Sequence, residues 1–305
     1  MKSNLFFYLL ISCLSTSFAQ INSQDSSVQV ISYWDLNETY SYAVSEEKFK
    51  IIDTDTTNRS FLTYNVDITV VDSTEKSYTI EWKYSNYSSS NENEFIDKLN
   101  EVYEGMVIRF TTDELGIFKE IINYNEVKKS VQKTTAFLKE EWKDKEMFQP
   151  MIEEVENMFM SKEAFENGII KDIQQYHLFH GIVLEKEETY YGDIQVPNMF
   201  GGEPFDSRIA FWLDTIDFEE YTYDLIMEQS LNSEQLTKAT YDFMSSNISE
   251  MKAYLSEGGE LPKITKDTFT ISRVHNTGWL IFSVETTEIK ADKTTRIEER
   301  IIEIL

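Results

Sequence analysis

Two runs of strict alternation, split by a short polar turn, constrain this chain more than anything else in it. Tyr64, Val66, Ile68 and Val70 fall on one side of an extended backbone, with Asn65, Asp67 and Thr69 on the other. Asp72-Ser73-Thr74-Glu75 turns the chain. Tyr78, Ile80, Trp82 and Tyr84 then repeat the pattern opposite Thr79, Glu81 and Lys83. Side chains on a strand alternate between faces, so the pattern predicts an antiparallel hairpin with one dry and one wet face. Tyr40 to Ile52 reads as a third strand ahead of it. No glycine precedes Gly105, which leaves the early turns to Asp, Asn and Ser.

The spacing changes downstream. Phe95, Ile96, Leu99, Val102 and Tyr103 follow a helical period, and Met106, Ile108 and Phe110 return to alternation. Asp113 to Gly116 turns the chain into a strand over 117–122. A helical block covers about 125–180, with Asn125 as the expected N-cap of a first helix carrying Val127, Val131, Leu138 and Trp142. A second helix begins near Pro150 with Ile152, Val155 and Phe159 inward. A third runs from about Ser161 to His180 and stops at Gly181.

A second β-region spans about 182–227. Asn232-Ser233-Glu234-Gln235 then opens a helix over about 233–256 that bears Leu236, Phe243, Met244, Ile248, Met251 and Leu255, with Gly258-Gly259 closing it. Three strands finish the chain, 264–274, 279–284 and 294–305, the first pair joined by His275-Asn276-Thr277-Gly278. The order predicts an α+β class: a large curved antiparallel sheet, or two, with the helices packed against it. With four prolines and no linker composition, residues 29–305 read as one domain, the helical block being an insertion.

The first nineteen residues read as a signal peptide. Lys2 gives a minimal basic start, 5–11 is uninterruptedly apolar, and Ser17-Phe18-Ala19 presents small residues at −3 and −1 of a cleavage site before Gln20. Residues 20–28 follow as a disordered lead. A rival reading takes Leu10-Ile11-Ser12-Cys13 as a lipobox, with Cys13 acylated and 15–27 as the tether. No segment approaches the ~20 apolar residues of a membrane-spanning helix. Cys13 is the only cysteine, so cleavage after Ala19 leaves no disulfide, thiolate nucleophile or cysteine metal site. The formal net charge of −26 argues against nucleic acid and anionic membranes as partners.

Few motifs carry chemistry. Asp53-Thr54-Asp55-Thr56-Thr57 matches the DxDxT nucleophile signature of haloacid-dehalogenase-type phosphatases. That signature must end a parallel strand leading to a helix, and here it leads into alternating strands, as a hairpin loop would. His177 and His180, three apart in a last helical turn, have the spacing of two metal ligands but no third partner; the reading is structural, and no metal or cofactor is expected. Asp214, Asp217, Glu219 and Glu220 cluster at a turn, as solvated acids or, in a weaker reading, as a glycosidase-like carboxylate pair. The most distinctive loop is Val196 to Phe205. Within it Pro197, Asn198, Met199, Phe200, Gly201 and Gly202 form the candidate ligand-binding set, because Met199 and Phe200 are large apolar groups where loops are normally polar. They either plug the core beneath or line an apolar mouth.

The leader, the Thr-Tyr-x-Val-x-Ile-Thr-Val-Val-Asp-Ser pattern over 63–73 and the Val-Pro-Asn-Met-Phe-Gly-Gly loop together resemble exported proteins of Bacteroidota-type Gram-negative bacteria to which no activity is assigned. The resemblance implies an envelope location, periplasmic or secreted, and supplies no catalytic residues. The N-x-S/T sequons at Asn37, Asn58, Asn86 and Asn247 are then incidental. The function expected is a non-enzymatic envelope binding or chaperone-like module with an apolar groove, for an apolar ligand or an envelope protein. A carboxylate-based extracellular hydrolase and a structural surface protein are the alternatives.

Overall fold

In the computed structural model, residues 20–90, 98, 100–101, 103–249 and 261–305 are described. The leader, most of the helix expected over 95–103, and Met251, Leu255 and Gly258-Gly259 lie outside them. The strands run, in chain order, β1 (Ile21–Asn22), β2 (Ser27–Gln29), β3 (Thr39–Ile52), β4 (Asp55–Thr74), β5 (Ser77–Ser89), β6 (Val107–Asp113), β7 (Phe118–Ile121), β8 (Val183–Glu185), β9 (Thr189–Val196), β10 (Phe205–Asp217), β11 (Thr222–Leu231), β12 (Ile264–His275), β13 (Leu280–Ala291) and β14 (Thr294–Ile304). The helices are α1 (Tyr124–Glu141), α2 (Gln149–Met158), α3 (Lys162–Gly168), α4 (Lys171–Tyr176) and α5 (Ser233–Asn247).

The alternating runs pair as their pattern demands. Val66 faces Tyr84, Ile68 faces Trp82 and Val70 faces Ile80 across β4 and β5. All six are buried, together with Tyr64. A one-residue slip would turn this whole set to water, so burial holds the register. Eleven strands form one open antiparallel sheet in the order β7-β6-β5-β4-β3-β14-β13-β12-β11-β10-β9. Every neighbour in it is consecutive in sequence except one. The last strand, β14, closes on β3, with Ile302 opposite Val44 and Arg300 opposite Glu46.

The sheet is strongly curved. Neighbouring strands lie ~4.8 Å apart, so β6 and β10, eight steps distant, would be about 38 Å apart in a flat sheet. Yet Phe110 on β6 packs its ring 5.3 Å from His177, and Phe211 on β10 lies 5.9 Å from Phe179, two residues further along. Register breaks in β4, β10 and β12 supply local bends. The helical block fills the hollow. Val127, Val131, Leu138, Trp142, Ile152, Val155 and Phe159 are all buried there, in a core continuous with Val66, Trp82 and Leu225.

Three local expectations are corrected. Residues 20–28 are not a disordered lead: β1, β2 and β8 form a three-stranded sheet, with Gln20 and Val28 buried. Asn125 lies inside α1, whose N-cap is Asn123. The Asn123 side chain accepts from the Arg109 backbone N–H and donates to the Val107 carbonyl, so it ties the helix start to β6 instead of capping it. The helix expected over 161–180 is two short ones, α3 and α4, parted at Gly168 to Ile170 where glycine weakens the helix. The break lets Ile170, Ile173 and Tyr176 all bury. The last helix is described only to Asn247; its N-cap is as expected, Asn232 accepting from the Glu234 and Gln235 N–H groups.

Candidate functional site

The loop from Val196 to Phe205 joins β9 to β10 and is a built turn. Asn198 Oδ1 accepts from the Phe200 N–H at 2.9 Å, and its Nδ2 donates to the Glu203 carbonyl at 3.2 Å. Gly201 and Gly202 have φ of 81° and 93°, the left-handed conformation that glycine adopts without strain. Neither apolar side chain plugs the main core. Met199 is 67 % exposed, while Phe200 is half-buried and packs on Phe243 of α5 with ring centroids 5.1 Å apart.

Loop and helix enclose a cleft of 490 Å³. Phe200, Pro204, Phe205, Ala239 and Phe243 make its apolar wall. Polar groups gather at the rim: Asn198, Gln235 and the Lys238–Asp242 ion pair. Gln235 pins α5 to β10, accepting from the Asp206 N–H at 2.7 Å and donating to its carboxylate at 2.8 Å. Beneath the cleft, Phe205, Leu236, Tyr241 and Ile264 form a satellite core of their own. Of the candidate set, Asn198, Phe200 and Gly201 line the cleft, and Pro197, Met199 and Gly202 do not. Sequence reading placed Phe243 on the apolar stripe of its helix; the structure leaves it 47 % exposed at the mouth.

The histidines are structural. His177 caps the end of α4 and His180 lies in the following turn, their rings 5.1 Å apart. Nδ1 of His177 lies 2.8 Å from the Gly116 carbonyl and Nε2 of His180 lies 3.0 Å from that of Gly278. A carbonyl only accepts, so those nitrogens carry the protons. Burial, with His180 alongside, lowers His177 well below the ordinary imidazole value; burial brings His180 down to about 4. Both are neutral at pH 7, among Trp34, Phe110 and Tyr176. No cluster of three or more metal-ligating side chains occurs among the described residues.

The other motifs dissolve into turns. Asp53 (φ 54°) turns β3 into β4. Asp217 accepts from the Glu219 and Glu220 N–H groups, and Asp214 is exposed at the β10 register break. The Asp217 carboxylate thereby organises the hairpin tip between β10 and β11.

One polar cluster escaped the sequence reading. Asp172 on α4 is fully buried and accepts from the Tyr64 hydroxyl at 3.1 Å and the Tyr84 hydroxyl at 3.2 Å. Burial pushes its carboxyl up to about 6, against the opposing pull of Arg300. Arg300 itself bonds Glu46, Glu285 and Gln175 at 3.1, 3.2 and 3.3 Å. The available signal was Tyr64 and Tyr84 at inward positions, since a buried phenol requires a polar partner. The cluster fastens α4 to the sheet.

Fold and cleft define an open, curved antiparallel sheet wrapped on its own helices, with a small partly apolar cleft at one end. No helix among the described residues is long and apolar enough to cross a membrane. No protein-family model matches the sequence, and no curated protein does. Among solved structures the chain is similar to lipovitellin, in a structure concerned with lipid–protein interactions, at 10 % identity and a TM-score of 0.39, over 89 % of this chain and 25 % of that one. It therefore spans about a quarter of the lipovitellin chain. It is also similar to a Bacteroides fragilis protein described as exported, with a YmcC-like fold (9 % identity, TM-score 0.23, 90 % and 99 % covered). A porin-like protein of Bacteroides uniformis aligns at 8 % identity and a TM-score of 0.19, over 90 % and 98 % of the two chains.

Proposed function

We propose that the chain is a single-domain, exported binding module, periplasmic or secreted, that holds a small ligand with an apolar, ring-sized part in the cleft between the 196–205 loop and α5. The observation that carries this reading is Phe243, nearly half exposed yet packed on Phe200, the rings tilted by 31°, over a 490 Å³ cleft. An exposed ring backed by a half-buried one over a packed satellite core offers a ligand desolvation energy at little reorganisation cost. The polar rim of Asn198, Gln235 and Lys238 orients a polar end. The broad hollow of the sheet is not the groove, because the helical block fills it.

The test uses the apolar dye ANS with native protein. Wild type should give a saturable fluorescence rise, and Phe243→Ala and Phe200→Ala should each weaken the apparent affinity about tenfold, the loss of ~1.4 kcal/mol of aromatic contact. Unchanged affinity in both variants, with the fold intact by circular dichroism, removes the cleft as the site.

A further inference from the structure

The two edges of the eleven-stranded sheet are treated very differently. At one end β7 is four residues long, has a register break against β6 and carries Lys119, which pairs with Asp113. Short length, irregularity and an edge lysine are the usual means by which a protein blocks further strand pairing. At the other end β9 has none of these. It runs eight residues in unbroken register with β10, without lysine, proline or bulge. Tyr190, Tyr191 and Ile194 on it are exposed. Beyond its ladder with β10, no backbone N–H or C=O of 189–196 finds a backbone partner among the described residues. In an antiparallel ladder every second residue directs both groups outward, so this edge offers an unused row of donors and acceptors.

Charge selects what can pair there. From Val183 to Val196 the acids are Glu185, Glu187, Glu188 and Asp193, all exposed, against the single base Lys186. A second copy would bring the same acids to the same edge, and each chain carries a net charge of −26. Like charges facing each other across strands are destabilising, whereas an incoming lysine or arginine is attracted. Tyr191 already accommodates a cation, with the Arg208 guanidinium 5.1 Å from its ring centre.

We infer that β9 is a docking edge for an extended, lysine- or arginine-bearing segment of a partner protein, which adds to the sheet as a further antiparallel strand. This is independent of the cleft, whose wall residues lie on the loop and α5.

The probe is an acetylated, amidated octapeptide of alternating valine and threonine between terminal lysines; the control carries glutamates in place of the lysines. The lysine peptide should bind the native chain saturably by calorimetry, more weakly as salt rises. It should slow hydrogen exchange in 189–196 and leave 233–247 unchanged. Glu187→Lys with Glu188→Lys, and separately Asp193→Lys, should weaken it at least tenfold while keeping the wild-type circular dichroism spectrum. No binding, equal binding of the glutamate peptide, protection at α5 in place of β9, or the same β9 protection produced by protein concentration alone would each overturn the inference.

Discussion

Replacing Asp172 by Asn should make the protein more stable at neutral pH, and the gain should vanish on acidification. The carboxyl titrates near 6 in the folded chain and near 3.8 when unfolded. A shift of about two units corresponds to about 3 kcal/mol. The sign follows from linkage: a folded pKa raised above the unfolded one contributes stability that is full below pH 3.8 and lost as pH rises through 6. Wild type therefore carries a buried carboxylate at pH 7.5 that costs about 3 kcal/mol relative to its neutral form.

The amide fits the same place. Its oxygen can take the position of Oδ1, which accepts from the Ile173 N–H and Tyr84, while its NH₂ replaces Oδ2 and donates to the Tyr64 hydroxyl. Urea unfolding followed by tryptophan fluorescence, at steps from pH 4 to 8, gives both stabilities. Asp172→Asn should exceed wild type by about 3 kcal/mol at pH 7.5, a midpoint shift of roughly 1 M, and match it near pH 4. A difference that stays constant with pH, or a variant less stable at pH 7.5, would refute the reasoning and make the Arg300 attraction the dominant force on that carboxylate.

The other predictions concern the same interior. His180 has a folded value depressed to about 4 from 6.5, so its contribution is present above 6.5 and lost as pH falls through 4; His180→Gln should abolish about 3 kcal/mol of acid-induced destabilisation in that window, read from the same urea series. Gly278 has φ 84°, and a Cβ there would meet the Ile31 carbonyl oxygen at 2.5 Å and Ser32 Cα at 2.9 Å, both backbone. Gly278→Ala should lower stability by about 3 kcal/mol and disturb the His180 hydrogen bond, visible as a shifted imidazole resonance. Trp82→Ala, at a fully buried position against Tyr176 and Phe110, should cost about 4 kcal/mol by thermal or urea unfolding.

Legibility followed the range of the interactions. The β4–β5 hairpin, the β12–β13 connection and the Asn232 cap depend on residues close in sequence, and each formed where its pattern lay. The candidate loop was half legible. Its glycines and Asn198 announced a fixed turn, but its apolar partner Phe243 is contributed by a helix some forty residues on. The boundaries of α1 and α4 were missed because their ends answer to the sheet: Asn123 bonds β6, and Asp172 bonds β4 and β5. Periodicity carries no record of a partner on a distant strand.

By itself the amino-acid sequence determined an α+β chain of alternating strands with two helical regions, since the faces of a strand or helix are set by a period of two or 3.6 residues. Only the tertiary structure decided that β14 closes on β3 to make one curved sheet, that the helical block occupies its hollow, and that β9 is left as an open edge. Pairing between the two ends of the chain, and the burial of Asp172, His177 and His180 that comes with it, depends on which surfaces meet in space, and local pattern does not encode that choice.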